Sequence, residues 1–408
     1  MFKKIRNKLS LLGPSLLWAS AAIGVSHIVQ STRAGATYGY ALIIAVILAN
    51  IFKYPFFEFA TRYTVVKNET VLDGYKKIGK WAIYLYIALT ISTMFTIQAG
   101  VTLVTAAILE NWLDLGIFFS SLVILSVCIM VIYFVKGNFF VRFVKFLILI
   151  LILSTVASAL LTGNVDIEIS KEFQKPEILS YIGISFVIAL IGWMPSPIDL
   201  SAWSSIWIME RRERNLNFSI KDNSFDFNFS YIVTTILAVI FLILGANVFY
   251  GSGTEFASSG SSFVNQLAEL YSSLGTGAKN LILLSAFSAM FSTTITCLDA
   301  FPKVLTKCSE LVFIRGSKNL FLFIVALGTL LTIFYFSNEM RRLVDIATIL
   351  SFLTSPFLAY LNYRLIYKTD FPKDSRPHYF IKVLSLVGMF FLITFSIIFI
   401  INKLGLIY

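Results

Sequence analysis

The sequence predicts an all-α integral membrane protein, two five-helix repeats of inverted topology followed by an eleventh helix. Three observations carry that prediction. Of 408 residues, 57% are hydrophobic and only 13% charged, outside the usual range of soluble chains. About eleven apolar runs are long enough to cross a bilayer at roughly 20 residues per span. Two of them, five helices apart, are interrupted in their middle. Broken membrane helices at matching places in two halves of a chain are the mark of secondary transporters built from inverted repeats. Backbone freed at that depth is tolerated only where it lines a cavity or binds something.

The spans centre near Ala21, Ala45, Thr93, Leu125, Leu151, Trp193, Leu237, Ala289, Val325, Leu353 and Leu392. The first follows Lys3, Lys4, Arg6 and Lys8 and imitates a secretory leader, with Ala19-Ser20-Ala21 resembling a cleavage site. Ten further spans argue instead for a transmembrane helix. It breaks at Gly24-Val25-Ser26-His27. Spans one to five form a first repeat over about residues 13–162. Spans six to ten form a second over about 178–365. The sixth runs from Ile178 to Met209, too long for one simple crossing, and breaks at Trp193-Met194-Pro195-Ser196-Pro197-Ile198-Asp199. The eleventh, over about 379–402, is an appendage, and the whole chain is one membrane domain, 1–408. A Gly- and Ser-rich connection, Gly251–Lys279, is expected to carry a short amphipathic helix around Phe263–Tyr271.

A net charge of +11 invites a nucleic-acid partner, but its distribution rejects one. With the N-terminus inside, inner segments hold 25 of the 33 Lys and Arg residues and outer segments hold 7. Lys53, within the second span, is the remaining one. This bias orients the chain with its N-terminus cytoplasmic and its C-terminus outside, in a bacterial plasma membrane. Cys128, Cys297 and Cys308 have no paired spacing, and two histidines are too few for a soluble-type zinc site. No cofactor is expected. The sequence assigns no oligomeric state.

His27 is the sharpest single residue, because ionisable groups at mid-membrane depth usually face a cavity, a partner or a substrate. Its imidazole is suited to ligating a metal or carrying a proton. The alternative is a neutral ring bonded to freed carbonyls, holding the break in shape. Asp199 follows the second break, where a carboxylate coordinates a cation, accepts a proton, or caps the second half-helix. Ser196 and the carbonyls around Trp193 to Pro195 are neutral candidate ligands, and Trp193 is a wall or lid. The candidate substrate site is therefore Gly24, Ser26, His27, Trp193, Ser196 and Asp199, with His27, Ser196 and Asp199 as candidate metal ligands. Asp299 either lines the exit path or meets Lys303 as an i,i+4 pair, and Glu58 with Arg62 is read as a structural i,i+4 pair. Gln30 and Arg33 lie on the outer side of span one, facing a ligand or marking the interface. There is no phosphate loop to support ATP-driven transport, and no nucleophile, base and oxyanion set to support an enzyme.

Gly13-Pro14-Ser15-Leu16-Leu17 through Arg33-Ala34-Gly35-Ala36-Thr37-Tyr38-Gly39-Tyr40, with Leu48-Ala49-Asn50, resembles the first two helices of the natural-resistance-associated macrophage protein (NRAMP) metal transporters. Ile191-Gly192, Pro197 and Leu200 through Ser204-Ser205 are similar to that family's sixth helix, and Ser292-Thr293-Thr294-Ile295-Thr296 to its eighth. The resemblance implies a leucine-transporter-like fold with helices 1 and 6 broken, proton-linked divalent metal import, and a site between those helices. The departures fall on the chemistry. The family's Asp-Pro-Gly-Asn is Gly24-Val25-Ser26-His27, so its liganding Asp and Asn become Gly24 and His27. Its carbonyl-donating Ala and its Met thioether become Trp193 and Ser196, and its two helix-6 histidines become Ile198 and Trp203. No Asp or Glu lies between Gly74 and Leu109, where the family's third helix is acidic. A transition-metal site prefers His, Met or carboxylate ligands, so altered selectivity is expected, a hard ion such as magnesium binding partly hydrated. The expected cargo is a cation, with protons as a candidate co-substrate. The alternatives are a small polar or zwitterionic solute, with half-helix N-termini holding an anionic group, and a sensor or scaffold that transports nothing.

Overall fold

Where the apolar runs lie, the chain is helical. The computed structural model describes residues 14–134, 138–162, 173–213, 219–252, 262–266, 278–313 and 316–404. Span one is α1 (Pro14–Ala22), a π-turn (Ser26–Ser31) and α2 (Thr32–Tyr38). Span two is α3 (Ile43–Lys67), and a short α4 (Val71–Ile78) leads to span three, α5 (Lys80–Leu113). Spans four and five are α6 (Ile117–Phe134) and α7 (Asn138–Thr162). Span six is split into α8 (Tyr181–Trp193) and α9 (Leu200–Glu213). Spans seven to eleven are α10 (Ile220–Phe249), α11 (Ala278–Leu311), α12 (Lys318–Phe336), α13 (Met340–Tyr367) and α14 (Tyr379–Lys403).

Among the described residues, seven helical stretches are long and apolar enough to cross a membrane unaided. The shortfall from the expected eleven has several reasons. The second half of span one and span two run together as one stretch, Ser26–Lys67, span six is divided by its break, and spans five and eight are described only in part. The expected amphipathic helix is helical over 262–266. The remainder of that expectation, like the basic cluster before Pro14, lies outside the described residues.

Helix starts follow local rules. Thr70 caps α4 and Ser219 caps α10, each in a reciprocal box with an Asp three residues on. Ser180 caps α8, its hydroxyl accepting from Gly183 N at 3.1 Å. The bundle is then held by close backbone approach. A side chain at Gly35 would place Cβ 1.9 Å from Leu242 O, and one at Gly245 would place it 2.1 Å from Thr32 O. Reciprocal glycines thus press α2 against α10. Small residues are how membrane helices maximise packing where lipid offers no hydrophobic drive.

Charged residues are paired near the helix ends. The expected pairs Glu58–Arg62 and Asp299–Lys303 form, at 2.5 Å each. The second is part of a larger network, since Lys303 also meets Glu210 at 2.7 Å and Asp299 also meets Lys318 at 3.0 Å. That network ties α9, α11 and α12 together. Cys128, Cys297 and Cys308 are free and buried.

Candidate functional site

The first break falls at the start of the segment its sequence suggests. Ile23 and Gly24 leave the helix, and the backbone resumes at once, with His27 N and Ile28 N both donating to Gly24 O at 3.0 and 2.9 Å. Ser26 and His27 therefore sit in a π-turn, a widened turn that recurs at functional places in helices. The freed carbonyls of α1 are met from inside the protein. Thr293 Oγ1, on α11, lies 2.8 Å from Ser20 O and 3.1 Å from Ile23 O. Ser26 Oγ donates to Ala22 O at 2.7 Å. Gly24 is required here, because a Cβ would lie 2.6 Å from Thr293 Oγ1.

The second break has a proline logic. In a continuous helix, Ile191 O would accept from residue 195 and Trp193 O from residue 197; both are prolines and have no N–H to give. The chain leaves the helix at Met194 and re-enters at Leu200. Lys53, fully buried on α3, answers the freed carbonyls. Its Nζ donates to Ile191 O at 2.7 Å, Gly192 O at 2.8 Å and Ser196 O at 3.3 Å.

The two breaks face each other across a cavity of about 20 Å³ lined by Ala22, Val25, Ser26, Trp193, Pro197 and Thr293, among others. That volume holds about one water-sized occupant. Trp193 forms a wall, anchored by its Nε1 to Ser351 Oγ at 2.8 Å. About ten residues along α9, roughly 15 Å, a second and larger cavity of about 510 Å³ opens among Asp73, Glu210, Glu213, Lys303, Lys307 and Glu310. Between them stands Trp203, edge-on to Phe301 with centroids 4.8 Å apart. On the other side, Arg33 binds Asp345 at 2.7 Å and Gln30 binds the same oxygen at 3.3 Å.

The candidate ligands do not all converge. His27 points away from the cavity toward α10, its Nε2 2.9 Å from Thr234 O and its Nδ1 2.7 Å from Ser26 Oγ. Through Ser26 it reaches the cavity wall indirectly. The backbone carbonyl of Ser196 is held by Lys53, and its hydroxyl reaches Pro197 O at 3.4 Å. Asp199 is different. It is buried, and neither carboxylate oxygen accepts a hydrogen bond, so it does not cap α9 through its side chain. It is within electrostatic reach of Tyr75 and Tyr86. Tyr75 in turn donates to Asn362 at 2.6 Å, and Asn362 donates to Ser201 Oγ at 2.9 Å. Among the described residues, no group of three or more His, Cys, Asp or Glu side chains is placed to hold a metal.

Sequence reasoning passed over Lys53 and the Tyr75–Asn362 pair. A lone lysine inside an apolar span was a signal of its own; a tyrosine and an asparagine 287 residues apart were not.

Residues 15–402 match the sequence profile of the family described as natural resistance-associated macrophage protein-like. The chain belongs to the NRAMP family. An uncharacterized protein of Pasteurella multocida is 35% identical over 412 aligned positions, covering 98% of this chain and 94% of that one. Among solved structures, a mutant of the Eremococcus coleocola manganese transporter superposes with a TM-score of 0.77 at 14% identity. That match covers 96% of this chain and 86% of the other. Mhp1, a nucleobase-cation-symport-1 family transporter, in a closed conformation with bromovinylhydantoin bound, gives 0.63 at 14% identity, covering 96% and 92%. The fold of this NRAMP-family protein is leucine-transporter-like, an all-α membrane bundle with helices 1 and 6 broken, as its sequence predicts.

Proposed function

We propose that this NRAMP-family chain is a secondary transporter that moves a metal cation, with altered selectivity, by alternating access around the breaks of spans one and six. The observation that carries the reading is the small cavity to which both breaks contribute; the Arg33–Asp345 and Trp203–Phe301 contacts are read as its gates. The two repeats are residues 13–162 and 178–365, with 379–402 added, and the chain sits in a bacterial plasma membrane with its N-terminus cytoplasmic and its C-terminus outside. The cargo passes unchanged, so no enzymatic step is involved, and protons are a candidate co-substrate.

Within this reading the site residues take distinct roles. Asp199 supplies the unpaired negative charge on the cargo's path. Ser26 offers a hydroxyl at the cavity wall, and His27 orients it. Gly24 lacks the family's acidic ligand, and Thr293 fills the space beside it. Trp193 closes one wall, and Ser196 keeps the bend of helix 6 in register. A hard cation keeping part of its water shell suits a path with one carboxylate and several hydroxyls better than a soft metal does.

A second reading is favoured by a specific observation. The freed carbonyls of both breaks are engaged by the chain's own donors, Thr293 and Lys53, and a wall without a carboxylate suits a small polar or zwitterionic solute. Uptake by sealed proteoliposomes separates the two. Magnesium and manganese are followed with trapped indicators, with and without an inward proton gradient, in wild type, Asp199→Asn and His27→Ala. Metal flux that Asp199→Asn abolishes supports the cation reading. Absence of metal flux in well-folded protein rejects it and leaves the solute reading.

A further inference from the structure

Span six ends its first half with carbonyls that a continuous helix would have used. The C-terminal end of a half-helix carries the negative end of the helix dipole, and in broken-helix transporters such ends coordinate cations. In this chain the position is taken by a side chain. The Lys53 ammonium has three N–H donors, and three carbonyl oxygens of the break, from Ile191, Gly192 and Ser196, accept them at 2.7, 2.8 and 3.3 Å. Lys53 is 0% exposed, and among the described residues no carboxylate forms an ion pair with it. An isolated ammonium this deep is expensive, and its compensation comes from carbonyl dipoles alone. The arrangement reproduces in covalent form what a free monovalent cation finds in a ring of backbone carbonyls.

We propose that Lys53 is a tethered cation filling a monovalent-cation seat of the helix-6 break, so that this seat needs no ion from solution. The inference rests on the break itself and stands whether or not the chain moves a metal. One mechanical consequence follows: α8 is tied to α3 by two charge-assisted bonds and the break at Ser196 by a third, so these parts move together and bending falls on the segment between Pro197 and Leu200. A second concerns selectivity. A positive charge fixed at this break repels a cargo cation from the carbonyls and leaves Asp199, on the other side of the bend, as the place for it.

The test is charge replacement without a covalent link. Lys53→Ala removes the ammonium and its stem, leaving three inward-facing carbonyls and space for an ion. Thermal unfolding of the purified full chain is measured in potassium, sodium or ethylammonium chloride against choline chloride at equal ionic strength. Wild type is expected to show no preference among the salts. Lys53→Ala is expected to unfold earlier in choline and to regain at least about 2 °C of Tm in potassium or ethylammonium. Should Lys53→Ala not fold, Lys53→Gln keeps most of the volume and two N–H donors and is expected to show a smaller rise, again specific to the small cations. If whichever variant folds has the same Tm in every salt, the carbonyls form no cation seat and the proposal is overturned. A purely structural lysine would give that second result, because lost packing is not restored by an ion.

Discussion

At the scale of single residues, the site is governed by what each freed backbone group can bond to. Gly24 and Thr293 are one example: the hydroxyl reaches the carbonyls of α1 only because no Cβ stands in its way. Gly24→Ala should therefore cost about 1–3 kcal/mol through overpacking. In the double variant with Thr293→Ala the loss should be less than the sum of the two, a coupling that thermal unfolding of all four proteins measures. For the same reason Gly24→Asp alone should not rebuild the family's metal ligand. Asp199 and His27 diverge in the other direction. Asp199 accepts no hydrogen bond, so Asp199→Asn should be at least as stable as wild type, a buried uncompensated charge being costly, while cargo flux falls. His27→Ala removes the ring's hydrogen bonds to the Thr234 carbonyl and Ser26 and leaves a cavity, and should lower stability by about 1–3 kcal/mol. A fall in flux for His27→Ala without that loss of stability would return the imidazole to a direct role.

At the scale of elements, both breaks were legible because their causes are local. Gly24 within an apolar run weakens the helix by its backbone freedom, and Pro195 and Pro197, four residues beyond Ile191 and Trp193, remove helix bonds, by rules that need only sequence. Their partners were not legible. Lys53 lies 138 residues from Ile191 and His27 lies 207 from Thr234, and each partner is a backbone carbonyl, which has no residue type to recognise. The direction of His27, away from the cavity, followed from the π-turn and not from its place in the chain. The packing of α2 on α10 sets a sharper constraint than composition suggests. With a Cβ at Gly35 only 1.9 Å from Leu242 O, Gly35→Leu must push two spans apart. It should yield no monodisperse protein in detergent, whereas a lipid-facing change such as Ile44→Leu, at a side chain 68% exposed, should behave as wild type.

At the scale of the whole molecule, the account is of a chamber that opens to one side at a time. In the proposed orientation, Arg33 with Gln30 on Asp345 serves as its outer lock and Trp203 on Phe301 as its inner plug, with the Asp299–Lys303–Glu210 network beyond it. Removing the outer lock with Arg33→Ala should bias the chain toward the outward-open state. The measurement that bears most directly on this is the reactivity of Cys297, which lines the central cavity, in a variant carrying Cys128→Ala and Cys308→Ala. A membrane-impermeant thiol reagent is too large for a cavity of about 20 Å³, so modification reports opening. The account predicts that Cys297 is modified from either face of a sealed vesicle, more slowly with cargo bound and faster from the outer face in Arg33→Ala. Modification from one face only, unchanged by cargo and by Arg33→Ala, would contradict it.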